Sequence, residues 1–150
     1  MAFRDPVDKN MLRMEGRRFA ARCEAQVSSI ERADTLREVA RLASSMTLPY
    51  SIADDYTARD ALRLVQMRAE DRARELIQDQ IQNFARAEEA HREKQKRAML
   101  DAWANLTGPL GHLRTWAQSR LVAAEQQNSQ AATPPAITRS SSIFSVPRSL

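Results

Sequence analysis

The residues able to do chemistry are few: two histidines, one cysteine and scattered carboxylate pairs over 150 positions. Glu88-x-x-His91 has the i, i+3 spacing that ferritin-like bundles use to aim a glutamate and a histidine at a di-metal centre. That centre needs a second Glu-x-x-His and two more inward glutamates. The other histidine, His112, has Pro109 three positions before it. The spacing therefore predicts no metal site, and no cofactor is expected.

Nucleophilic catalysis needs a Ser or Cys held against a base. With two histidines to serve as base and no Gly-x-Ser-x-Gly elbow, the chain carries no triad signature. The carboxylate pairs Asp54-Asp55 and Glu88-Glu89 read as parts of a solvated helix face. Cys23 has no partner for an intrachain disulfide, and its helical spacing from Phe19 and Val27 reads as a small buried hydrophobe. A non-enzymatic protein is expected.

Anion binding has more material. The chain has 23 basic and 19 acidic residues, a net charge of +4, and nearly all its bases are Arg, which grips phosphate or carboxylate through two parallel hydrogen bonds. Two clusters stand out. Arg92, Lys94, Lys96 and Arg97 fall within seven residues, and Arg17, Arg18 and Arg22 (with Arg13) fall near the start. These are the candidate phosphate contacts. Against them stand Glu88–Arg92 and Glu93–Arg97, pairs at i, i+4 with Glu first, the order a helix prefers. Neither cluster has aromatic residues interleaved with it, so the sequence offers bases nothing to stack on.

The elements that must position these residues are helices. Ala, Glu, Lys, Leu and Arg make up close to half the chain, as in long helices and coiled coils, and there are three glycines. Asp5-Pro6 is a helix start, with Pro at the first position. The stripe Leu12, Phe19, Cys23, Val27, Ile30, Ala33, Leu36 predicts a helix over about 5–45, with Ser28-Ser29 its weak point. Pro49 marks a packed loop over 46–56, and Thr57 with Asp60 marks the next start. Residues 58–106 hold neither Gly nor Pro and trace a seam with an 11-residue repeat through Leu62, Val65, Leu76 and Phe84. Continuous, that helix would span roughly 70 Å. Thr107-Gly108-Pro109 is the next break, followed by a short helix over 109–127. Folding back, it would bring Trp116 against Trp103 at the distal turn.

Residues 128–150 are rich in Ser, Pro and Thr and read as a disordered tail. Within it Arg139 precedes Ser142 as basophilic kinases require. Ile143, Phe144 and Val146 form a candidate docking motif. No stretch has the roughly 18 consecutive apolar residues of a membrane span, and the N-terminus lacks the apolar segment of a secretory signal. A soluble, intracellular, cytoplasmic protein is expected.

The expected fold is all-α: two long helices in an antiparallel hairpin or coiled coil, a short third helix, and a disordered C-terminal tail, with 1–127 as the helical domain. Its Ala-rich seam buries little area per residue, at about 25 cal/mol per Å². The expected function is a structural or adaptor protein whose seam (Ile30, Leu62, Val65, Leu76 and Phe84) pairs with a second copy or a partner's helices. A nucleic acid is the alternative partner, and an anionic membrane surface against residues 11–30 a third.

Overall fold

The computed structural model describes residues 6–132. Among these, five α-helices run as α1 (Pro6–Arg32), α2 (Leu36–Ser44), α3 (Tyr56–Arg86), α4 (Glu89–Trp103) and α5 (Leu113–Ala132). Single 3₁₀ turns lie at Tyr50–Ile52 and Gly108–Leu110. The fold is all-α.

Neither long helix of the sequence reading is continuous. The first runs unbroken through Ser28-Ser29 and ends at Arg32, after which Thr35 caps α2: its hydroxyl accepts from Glu38 N–H at 3.1 Å. Stopping there turns Leu36, Val39, Ala40, Leu42 and Ala43 inward, all of them buried. The carbonyl of Ala33, left open by the break, accepts two hydrogen bonds from the Arg72 guanidinium, at 3.0 and 2.9 Å. The last turn of α2 is closed from α1, where Gln26 Nε2 donates to Leu42 O at 2.7 Å and to Ser45 Oγ at 2.6 Å.

The second long helix stops at Arg86, with Ala87 and Glu88 in extended conformations. No Gly, Pro or capping side chain marks this place, and its cause is tertiary. A straight helix would carry Met99 and Trp103 away from any partner. The reversal buries both side chains and lets Trp103 Nε1 donate to Gln80 Oε1 at 2.9 Å. Burying two such side chains is worth a few kcal/mol, enough to outweigh helix propensity over the two residues that break. Arg92 Nε then donates to the freed Ala87 carbonyl at 3.1 Å. The start of α3 also differs from expectation: Asp55 is the cap, accepting from Ala58 N–H at 2.9 Å.

The expected antiparallel hairpin is replaced by a parallel pair. Glu15 meets Ser51, Gly16 meets Asp55, Glu31 meets Arg68 and Ala33 meets Arg72, so numbers on α1 and α3 rise together. The return stroke is made by α2 and the loop through Ser51, which carry the chain back alongside α1. The pattern recurs beyond the middle of α3. There α4 runs back, with Trp103 on Gln80, and α5 runs forward again, with His112 on Glu70 at 3.1 Å. Thus α3, about 45 Å long, is the spine of two up-down-up triplets.

The triplets meet where α2 and α4 touch each other and the 3₁₀ turn at Gly108–Leu110 touches both α2 and α3. Leu106, Leu110 and Leu113 are fully buried there with Ala69, Ala73 and Ile77 of α3. Gly108 has φ +57°, the left-handed region that favours glycine, and Pro109 follows it into the turn. The third helix differs from its expected bounds: it begins at Leu113 and runs on to Ala132, so residues 128–132 are helical rather than part of a tail. No helix among the described residues is long and apolar enough to cross a membrane.

Candidate interaction surfaces

The seam residues have been placed by the closing of one chain on itself. Ile30, Val65 and Phe84 are buried, whereas Leu62 and Leu76 are half-buried at the edge of the core. The 11-residue seam holds as far as Phe84. Beyond the break at Ala87, its continuation through His91 and Ala98 is exposed, and Met99 and Trp103 are the side chains of α4 that are buried.

The two tryptophans have separate partners. Trp103 is 1% exposed and bound to Gln80. Trp116 is half-buried against the core, with the guanidinium carbons of Arg74 and Arg120 at 5.7 and 5.5 Å from its ring centroid. Such cation–π contacts are worth about 0.5–1 kcal/mol where solvent is near. Glu70 organises this edge, its carboxylate oxygens lying 2.8 Å from the Arg74 guanidinium and 3.1 Å from His112 Nε2.

The two basic clusters lie at opposite ends of α3. On α4, Arg92 is committed to the Ala87 carbonyl and Lys96 to Glu125 at 2.8 Å, while Lys94 and Arg97 are exposed. Neither Glu88–Arg92 nor Glu93–Arg97 forms an ion pair. The Lys96 ammonium is held above the ordinary lysine pKa by its hydrogen bond and charge attraction to Glu125. These groups border a groove of about 410 Å³ between the start of α4 and the end of α5, lined also by Phe84, Glu89 and Asn128. Its two cations, Arg92 and Lys96, face three glutamates, Glu89, Glu93 and Glu125. Asn128 Nδ2 and Gln95 Oε1 are buried without a hydrogen-bond partner, at a cost of about 1–3 kcal/mol each.

On α1 the cluster stays open. Arg17, Arg18 and Arg22 are exposed, as are Lys9 and Arg13. Arg22 lies over the Phe19 ring, 5.6 Å from its centroid, and among the described residues Arg13, Arg17 and Arg18 make no ion pair or hydrogen bond. The loop before α3 packs against this stretch. Arg18 and Arg22 share one depression with Pro49 and Ile52, and Leu12 shares a second, of about 790 Å³, with Tyr50 and Asp54. Tyr50 and Tyr56, at the two ends of that loop, are 96% and 80% exposed. Nothing in the local sequence marks this loop as a neighbour of the arginines, because only the return of the chain through α2 brings it there.

Cys23 is buried beside Phe19 in the core, and burial pushes its thiol pKa up against the opposing charge of Arg22. Among the described residues no three His, Cys, Asp or Glu gather as a metal site would require. The candidate tail motif, Ile143, Phe144 and Val146, lies outside the described residues. Comparison with protein families, with curated proteins and with solved structures gives no match to this chain.

Proposed function

We propose that the protein is a non-catalytic structural or adaptor protein of the cytoplasm that self-associates or docks on a partner's helices. The observation that supports this reading is on α3. After the chain has closed its own core, Leu64 and Met67 remain 47% and 55% exposed one helical turn apart. At i, i+3 the two side chains share a face. Methionine at such a position adapts to varied partner surfaces. The surface for association is thus the outer flank of α3 at Leu64 and Met67, while Ile30, Val65 and Phe84 are taken up by the protein's own core.

Size exclusion coupled to light scattering tests the proposal. A dimer or larger species at micromolar concentration is expected, converted to monomer by Leu64→Glu with Met67→Glu. A compact monomer throughout that range, together with no capture of a helical partner by the flank, overturns it.

A further inference from the structure

The basic stretch of α1 and the tyrosines of the loop before α3 combine into a site neither provides alone. From Lys9 to Arg22 the chain has five cations and one acid, Glu15, and that carboxylate accepts a hydrogen bond from Ser51 Oγ at 3.0 Å. Lys9, Arg13 and Arg17 recur every four residues, about 6 Å along the helix; Arg18 and Arg22 repeat the interval beside them. The acids that border the stretch are Asp8, which precedes Lys9 in the chain, and Glu24, Asp54 and Asp55. Of these, Asp55 is engaged as the α3 cap.

We propose that this surface binds single-stranded nucleic acid, with Arg13, Arg17, Arg18 and Arg22 on phosphates and Tyr50 and Tyr56 stacking on bases. The charge is complementary to a phosphate chain, and two nearly free phenol rings offer flat faces to unpaired bases. Stacking of this kind is tolerant of sequence and is unavailable to a duplex, whose bases already stack on one another. Met11 and Met14, exposed on the same stretch of α1, add apolar contact. The Ser51–Glu15 and Asp55–Gly16 contacts bring the loop that carries both tyrosines against α1 within the basic stretch, Tyr50 being next to Ser51 and Tyr56 next to Asp55 in the chain.

The test is fluorescence anisotropy of the full chain with labelled single-stranded oligo-dT and oligo-U, beside a duplex of equal length and phosphatidylserine vesicles. Single strands of either sugar should bind at low salt. With four phosphates engaged, the slope of log K against log salt should be about −3. Tyr50→Ala with Tyr56→Ala should weaken binding about thirtyfold or more and leave that slope unchanged. Arg17→Glu with Arg18→Glu should abolish binding while circular dichroism stays helical. Four results overturn the proposal: no binding at low salt, equal affinity for duplex, indifference to loss of both tyrosines, or binding to the vesicles alone.

Discussion

The Asp55 carboxylate lies against the backbone of Gly16, so close that a Cβ on Gly16 would stand 2.5 Å from Asp55 Oδ2. The same oxygen caps α3, accepting from Ala58 N–H at 2.9 Å. One contact therefore sets both the start of α3 and its parallel register on α1. It also explains a glycine in mid-helix, where glycine costs up to about 1 kcal/mol relative to alanine.

Asp55→Ala should destabilise the fold by about 1 kcal/mol through loss of the cap. Gly16→Ala should give little or no gain in the wild-type background, because displacing the carboxylate offsets the better propensity. In the Asp55→Ala background the same change should stabilise by about 0.5–1 kcal/mol. Urea midpoints of the four proteins measure this, and simple additivity would refute the contact.

Gln80 is a polar residue between Leu76 and Phe84 on α3, and the structure makes it the acceptor for the Trp103 indole. Gln80→Leu should therefore cost about 1–3 kcal/mol by leaving a buried N–H unpaired, although it improves the apolar pattern. Combining it with Trp103→Phe should cost less than the sum of the two single changes. Thermal or urea unfolding decides, and a stabilising Gln80→Leu would contradict the assigned role.

How far the sequence could be read depends on where each determinant lies. Phe19, Ile30, Val65 and Phe84 are buried as their periodicity requires, because a helix face is a local property. The break before α2 had a local signal too, since Thr35-x-x-Glu38 has the spacing of a capping box, masked by the apolar stripe running through it. The break at Ala87 had none, because its cause is Trp103 reaching back to Gln80 across 23 positions. The parallel course of α1 and α3 was hidden for the same reason: it follows from α2 being a return stroke rather than a continuation. Of the candidate surfaces, the arginines of α1 were visible as a cluster. That the loop carrying Tyr50 and Tyr56 packs on the same stretch was not, as it depends on contacts such as Ser51 on Glu15, 36 positions apart.

The Lys96–Glu125 pair joins α4 to α5 at 2.8 Å, with side chains 33% and 36% exposed. The folded state raises the lysine pKa, so its contribution is full below the unfolded value of roughly 10.4 and fades as pH rises through the folded one. Solvent screening keeps the contribution well under about 1 kcal/mol. Lys96→Met should lower the urea midpoint slightly near neutral pH, and the gap from wild type should close in strong alkali and in high salt. A gap that widens with pH would reverse the assignment.

Cys23 is 1% exposed in the core beside Phe19, and burial raises its thiol pKa. Thiolate is the reactive form, so two effects act together: little thiolate forms, and reagents cannot reach it. Alkylation of the native protein should run far slower than that of the urea-unfolded chain. Its rate should follow the opening of α1 from α3, because a buried thiol is reached only through local unfolding. Destabilising that interface with Asp55→Ala should accelerate labelling, while Lys96→Met, at the far end of the spine, should leave it nearly unchanged if the two triplets open separately. Equal acceleration by both variants would show instead that the spine opens as one unit. Rapid stoichiometric labelling of the folded protein would place Cys23 at the surface and contradict the packing of α1.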